Sequence, residues 1–557
     1  MKNKIKDYII IFVISVIISI PLLTSNFDIY ADDGIQHIAR LMGTYQTITE
    51  GEFPPVIMSN FCNGFGYSWN IFYSPITAFV PLILMLKLFM ILVTFLSGIA
   101  MYEFVKKVTK NKYAGMLAAI IYILAPYRLT DMYMRIAIAE LTSFIFLPIV
   151  FHGIYNIFNS EEKSMKKSLI LTLGAVGIIL THTVIAMYTA IICFIYVIVN
   201  IKKLKEKQVW KMIGINVLLI ILLTSFYLLP MLEHKLTTEY EVFQPGRMER
   251  TDDLILKKVD VTDLLYTPNG HFSYEIGLVS LIGIVFTLLV YKKIEKENRK
   301  IYYFSITLGC ICIIMSLRFF PFEKLPAILK MIQFSFRLLE FSSFFFAFVA
   351  AINYSLLIKN FKVKDVFVLG LIAFLLIVPL KKNLDYEKTW REEILWPAFA
   401  VNDYTGRIHA GCATFEYLPS KAFDNLDYIK HRENRVYVLN GNVRIKNEEK
   451  DGTNMEFTVS DIEENTVIEL PYIFYLGYTV EITNVAGETF EIDPFESDNG
   501  FVAVNLPETA TKVNVKYEGT VLMKVLYVIS FATVIGVLLN YLLLLVNNLK
   551  NKYDRKY

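Results

Sequence analysis

Cysteine is scarce in this chain: Cys62, Cys193, Cys310, Cys312 and Cys412 are five positions in 557 residues. So thin and scattered a set cannot form a disulfide framework, and Cys310-x-Cys312 sits in an apolar run without nearby histidine, so no metal site follows from it. Cys62 and Cys412 fall on the same predicted side of the membrane, but pairing depends on a Cα separation that sequence does not give. A strong charge of one sign is also missing. The net charge of +3 says nothing of nucleic acid, because the basic residues cluster in short loops between apolar runs. No small-residue cleavage site follows the first apolar run, which therefore reads as a retained helix and not as a removed signal. Internal repeats and low-complexity tracts are absent as well.

What the chain does have is apolar length. Hydrophobic residues make up 55% of it and the mean hydropathy is +0.46, which defines a polytopic membrane protein. Basic clusters at 106–112, 163–167, 202–211, 292–300, 359–364 and 550–556 should face the cytoplasm, as should the basic start Met1-Lys-Asn-Lys-Ile-Lys6. Between them spans are expected at 8–24, 88–105, 113–127, 138–158, 168–181, 183–200, 210–230, 276–291, 301–318, 338–358, 365–380 and 521–547, about twelve in all. An even number leaves both termini in the cytoplasm. The apolar piece 75–86 would spoil that parity and reads as a re-entrant or interfacial helix.

Just beyond the first span lies Asp28-Ile-Tyr-Ala-Asp32-Asp33-Gly-Ile-Gln-His37-Ile-Ala-Arg40. Polar groups that close to hydrocarbon are expensive to hold unless they are used. A helix is expected from Asp33-Gly34 to Glu50-Gly51, with Asp33, His37 and Arg40 on one face at i, i+4 and i+7, and Ile35, Ile38, Met42 and Tyr45 toward lipid or other helices. Two more regions leave the membrane. Residues 231–275 read as a charged loop with turns at Pro245-Gly246 and Asn269-Gly270. Residues 381–519 change regime: Val436 to Leu439, Val467 to Leu470, Thr479 to Thr483, Phe501 to Leu506 and Val513 to Tyr517 alternate as strands, separated by Asn-Gly, Asp-Gly and Ala-Gly turns. The expected organisation is a membrane domain over 1–380 with an outer loop at 25–73. An extracytoplasmic β-sandwich-like domain over 381–519 follows, then a last span and basic cytoplasmic tail over 520–557.

An ordered set of motifs carries a family resemblance. Asp32-Asp33 with His37 and Arg40 is followed by Glu50-Gly51-x-x-Pro54-Pro55, Gly64-Phe-Gly-Tyr67, Tyr73-Ser-Pro75, Ala125-Pro126-Tyr127, Arg135 with Glu140, and His182. Together they resemble the bacterial membrane family labelled 6-pyruvoyl-tetrahydropterin synthase-related, although nothing here looks like a soluble pterin enzyme. That family looks like a branch of the C-type (GT-C) glycosyltransferases, near the YfhO-like proteins of the cell envelope. Glu469-Leu-Pro-Tyr472, Leu476 to Val480 and Val513 to Tyr517 are similar to the YfhO-like outer domain, with Tyr478 where tryptophan is usual.

The resemblance implies a plasma-membrane enzyme. It would take a sugar from a polyprenyl-phosphate donor and pass it to an envelope polymer, lipid or protein outside the cell. It implies that an aspartate of the first outer loop, Asp32 or Asp33, is the catalytic base. The chemistry of the residues agrees, since an attacking hydroxyl needs a carboxylate to take its proton. The departing phosphate needs fixed cations, for which Arg40, Arg128, Arg135 and Arg337 are the candidates. His37, Glu140 and His182 are further candidates for the site. Asp28, Asp32 and Asp33 are an alternative oxygen set for a divalent cation such as Mg or Mn.

Each of these residues also has a structural reading. Asp33 serves equally as a helix N-cap, His37 as a hydrogen-bonded interfacial residue, and Arg128, Asp131 and Arg135 as an ion-pair stripe. His182 satisfies backbone at a sharp turn, and Arg337 snorkels from its span. Rival functions are a transporter or flippase of lipid-linked saccharides, which would need ionisable groups along a midplane path, and a non-catalytic envelope assembly protein.

Overall fold

Apolar runs that must satisfy every backbone group internally become helices, and the computed structural model is mostly helical. It describes residues 2–24, 31–76, 83–160, 163–244, 259–267, 274–358, 370–371, 374–375, 412 and 415–554. The principal helices are α1 (Lys2–Thr24), α2 (Gly34–Thr49), α3 (Ile83–Thr109), α4 (Lys112–Ile123), α5 (Pro126–Thr130), α6 (Ile138–Phe158), α7 (Ile170–Thr181), α8 (Thr183–Val199), α9 (Lys207–Thr237), α10 (Leu278–Val285), α11 (Arg299–Ser316), α12 (Leu338–Leu357) and α13 (Val521–Asp554).

Among the described residues, seven helices are long and apolar enough to cross a membrane, and an eighth crossing arises if α4 and the bent piece Pro126–Arg135 count as one. The expected count of about twelve is therefore not confirmed among the described residues. The expected spans 168–181 and 183–200 are α7 and α8, of 12 and 17 residues. At 1.5 Å per residue, α7 reaches only ~18 Å, short of a hydrocarbon core of ~30 Å. The expected span 276–291 breaks into α10 and the short helix Thr287–Val290. The expected span 365–380 lies, apart from four residues, outside the described residues. Half of the expected re-entrant piece 75–86, residues 77–82, does too, and its last residues begin α3. Counting apolar runs fixes neither where a run breaks nor how far it reaches.

The chain divides into two units, one formed by 1–45, 74–213 and 245–411, the other by 46–73, 214–244 and 412–557. In the first unit α12 is the interior helix, with its apolar window wholly buried. Its phenylalanines pack against Phe104 of α3 and Phe151 of α6. Small residues let helices approach where lipid gives no hydrophobic drive: a Cβ on Gly283 of α10 would stand 2.3 Å from that of Ala350. Asn353 ties the same seam, donating to the Gly283 carbonyl at 2.8 Å and accepting from the Tyr302 hydroxyl at 2.7 Å.

The second unit carries the strands. One antiparallel sheet runs β1 (Tyr437–Asn440), β4 (Val467–Ile473), β8 (Phe501–Asn505), β7 (Phe495–Glu496). The other runs β2 (Arg444–Asp451), β3 (Asn454–Ser460), β9 (Ala510–Tyr517), β5 (Tyr478–Asn484), β6 (Thr489–Ile492). Alternation in β3 buries Met455, Phe457 and Val459, and Phe457 pairs with Val513 across the ladder. Charged, exposed β2 gives no such alternation, which is why sequence patterning passes it over.

Residues 46–73 are threaded into this unit. The Ile473 amide donates to the Phe65 carbonyl at 2.9 Å, Lys450 Nζ donates to the Gly64 carbonyl at 2.5 Å, and Thr453 donates its amide to Glu52 at 2.7 Å.

At the centre of the unit the Arg432 and Glu469 side chains are fully buried and paired at 3.1 Å. Glu469 also accepts from Tyr428, Ser497 and Asn499, while Arg432 lies 4.4 Å from the Tyr437 ring and 4.8 Å from that of Phe501. A buried charge stripped of its partner is far more costly than the pair is stabilising. Arg432→Met or Glu469→Gln should each destabilise this unit by about 3–5 kcal/mol. The apolar double variant Arg432→Met, Glu469→Leu should recover part of that loss. Thermal and denaturant unfolding of the full chain in detergent measures both, and equal loss in the double and single variants would contradict the account.

Candidate active site

Proline breaks a helix by removing a donor and crowding the preceding turn, and Pro126 does so here. α4 ends at Ile123 with Leu124 as its C-cap, α5 begins at Pro126, and the axis bends by 45°. The next turn, Asp131–Arg135, is wound as a π-helix and closes on Ile136 with φ at 51°. Such wider turns re-aim side chains and recur at functional sites. Here the turn puts Asp131 and Arg135 on one face, their atoms 2.5 Å apart. α6 starts immediately afterwards, with Glu140 in its first turn.

Glu140 is the centre of the constellation. One of its oxygens meets Arg135 at 2.9 Å and Arg337 at 3.2 Å, and the other accepts from the Tyr127 hydroxyl. Arg337 stands at the start of α12, its second donor group on the Gln333 side chain at 2.7 Å. Phe336 underlies Arg135 and Phe334 underlies Arg337 at 5.1 and 5.0 Å. Glu340, one turn into α12, accepts from Ser143 at 2.7 Å. Glu340 Oε2 and Asp131 Oδ2 are buried without a hydrogen-bond partner among the described residues.

The paired aspartates are fastened to the same π-turn by their backbone. The Asp32 amide donates to the Met134 carbonyl at 3.0 Å and the Asp33 amide to the Arg135 carbonyl at 2.9 Å. The carboxylate motif and the arginine are therefore positioned together. Asp32 points to solvent, whereas Asp33 is mostly enclosed. Burial raises the Asp33 carboxyl to about 6; Arg135 pulls it down, Asp32 pushes it up, and Arg337 and Arg40 pull it down more weakly.

His37 and Arg40 line the buried face of α2 with Thr44, while Tyr45 on the opposite face is exposed. Burial, reinforced by Arg40 and Arg135, lowers His37 to about 3, so it is a neutral imidazole at physiological pH. His182 caps α8, its Nδ1 accepting from the Ile185 amide at 3.3 Å, in line with its structural reading.

Arg128 goes elsewhere. Its guanidinium is fully buried and donates to the Ile123 carbonyl of α4 at 3.1 Å and the Thr94 hydroxyl of α3 at 2.9 Å. Of the expected metal ligands, Asp28 lies outside the described residues. Among the described residues no group of three His, Cys, Asp or Glu side chains is placed to hold a metal. Sequence reasoning missed Asp131, except as part of a surface stripe, and missed Tyr127, Gln333 and Glu340 as site residues. Spacing alone cannot show that α6 and α12, far apart in sequence, begin side by side.

These features define a polytopic membrane protein whose helix ends enclose an arginine–carboxylate cluster beside a paired aspartate motif. The chain belongs to the 6-pyruvoyl-tetrahydropterin synthase related family of membrane proteins, whose sequence profile matches residues 68–383. That match contains Arg135, Glu140, His182 and Arg337 but begins after Asp32 and Asp33. An uncharacterised protein of Lactococcus lactis subsp. cremoris (strain MG1363) is similar along its length, 24% identical over 595 aligned residues that cover 97% of this chain and 94% of that one.

A raised carboxyl gives a signed prediction. Between pH 3.8 and about 6 the folded chain keeps a proton on Asp33 that the unfolded chain has released. The stability this group contributes is thus complete below 3.8 and is lost as pH rises through about 6. The full shift corresponds to at most about 3 kcal/mol, and solvent at the open edge of Asp33 reduces it to about 1–2 kcal/mol. Asp33→Asn, neutral at every pH, should therefore melt higher than the parent at pH 8 and level with it near pH 4. A constant difference across that range would count against the burial of this charge.

Proposed function

We propose that this protein is an inverting C-type membrane glycosyltransferase. It moves a sugar from a polyprenyl-phosphate donor to a cell-envelope acceptor on the outer face of the bacterial plasma membrane, with both termini in the cytoplasm. The observation that carries the proposal is Asp33, an enclosed carboxyl near 6 beside the Arg135–Glu140–Arg337 cluster. A general base works best when its proton affinity lies near the working pH.

In the proposed step the acceptor hydroxyl gives its proton to Asp33 as its oxygen bonds to the anomeric carbon. The bond from that carbon to the donor phosphate breaks, and the lipid phosphate departs with the electron pair. Arg135 and Arg337 stabilise the charge gathering on the phosphate oxygens, while Glu140 holds the two guanidinium groups in place. Asp33 is preferred over Asp32 as the base because it is the more enclosed and lies under the influence of three arginines. Arg128 has no part in this scheme.

The cluster sits at the ends of helices: Arg135 closes a broken span, while Glu140 and Glu340 lie in first turns. That placement supports a reaction at the membrane surface over transport along a midplane path. Purified protein given a polyprenyl-phosphate sugar should lose on the order of 10²–10⁴ in transfer rate with Asp33→Asn, while Asp32→Asn retains most of it. The parent's kcat/KM should fall as pH drops below about 6. Transfer that survives in Asp33→Asn would remove the assignment of the base, and failure of every lipid-linked sugar to react would remove the proposed activity.

A further inference from the structure

Cys62 and Cys412 are 350 positions apart in the chain, and both belong to the strand-bearing unit. Their sulfurs stand 3.5 Å apart, both side chains buried. Neither position is accidental. Cys62 opens a tight left-handed turn, with φ at 52° for Cys62, 58° for Asn63 and 85° for Gly64. The turn is closed by the Gly64 amide on the Phe61 carbonyl and the Phe65 amide on the Cys62 carbonyl. On the other side the Tyr67 hydroxyl bonds to the Cys412 carbonyl at 3.4 Å and accepts from the Tyr417 amide at 3.2 Å. The sulfurs stand within about 1.5 Å of the ~2.05 Å of a disulfide bond, and the contacts above hold the segments that carry them.

We infer that Cys62 and Cys412 form a structural disulfide that fastens the 46–73 segment to the strand-bearing body. The inference rests on the topology proposed above, in which this unit lies outside the cytoplasm, where disulfides persist. The two thiols lose two protons and two electrons as the sulfur–sulfur bond forms. An extracytoplasmic protein or small-molecule disulfide takes them up and becomes two thiols. Burial of both sulfurs places this exchange during folding, before the segment closes over them.

The test keeps pairing and topology apart. Thiols are blocked with iodoacetamide as cells are lysed, and the full chain is denatured without reductant and mapped as peptides by mass spectrometry. A linked Cys62–Cys412 peptide that disappears on reduction is expected, with Cys193, Cys310 and Cys312 alkylated. In parallel, Val485→Cys, at a position 74% exposed in the turn after β5, is challenged on intact cells with a membrane-impermeant maleimide.

Two alkylated thiols at 62 and 412, with the Val485→Cys variant labelled on intact cells, would overturn the disulfide and leave the topology standing. Two alkylated thiols, with that variant labelled only after lysis, would overturn both. Cys62→Ser, Cys412→Ser and the double variant should all melt lower by a common amount, on the order of 5 °C. Reductant should bring the parent down to their level, and a parent melting point indifferent to reductant would also overturn the bond.

Discussion

The fold of the membrane unit depends on a constraint that hydrocarbon imposes: a guanidinium taken from water must have its charge and its donors met inside the protein. Arg135 and Arg337 arrive from different helices and share one, Glu140. The bend at Pro126, the π-turn that follows, and the meeting of the first turns of α6 and α12 are the means by which Arg135 and Glu140 reach Arg337, 197 positions from Glu140. Without Glu140 Arg135 would keep only Asp131 and Arg337 would lose its carboxylate, so the start of α12 would lose its anchor.

This arrangement also explains how a polar site is kept rigid beside a bilayer. The aspartate motif is not left on a free loop, because its amides are bonded to the Met134 and Arg135 carbonyls of the π-turn. A displacement of the turn therefore moves base candidate and cation together. Aromatic faces from Phe334 and Phe336 lie against the two guanidinium groups, excluding water from one side while leaving hydrogen-bonding edges available. Low dielectric strengthens each of these interactions and penalises any charge left without a partner.

The strand-bearing unit meets the same problem in a different way. Arg432 and Glu469 are buried among strands and are satisfied by backbone carbonyls, three side-chain donors and stacked rings. No orphaned oxygen of either residue remains among the described residues. In the membrane unit, by contrast, Glu340 and Asp131 each keep one unpartnered oxygen. The pair in the strand-bearing unit is fully satisfied, whereas the membrane-unit cluster keeps two buried carboxylate oxygens unpartnered among the described residues.

Sequence alone determined that the chain is a polytopic membrane protein with a β-rich segment near its end, because hydropathy and alternation are local properties of consecutive residues. The strands 437–440, 467–473, 478–484, 501–505 and 510–517 overlap those expected from patterning, and His37 and Arg40 were legible as one buried helical face from spacing, whereas Asp33 precedes that helix. The motifs that carried the family resemblance were legible too. What sequence could not determine was where apolar runs break. His182 divides α7 from α8, and the run at 276–291 is broken after Val285, so among the described residues seven or eight helices, and not twelve, are long and apolar enough to cross. Nor could it tell which arginine turns inward. Arg128 and Arg135 lie two turns apart on one segment, yet the bend and the π-turn send one to Thr94 and the other to Glu140. Only tertiary structure decides that, because the partner carboxylate comes from another helix and the choice depends on where the backbone is broken.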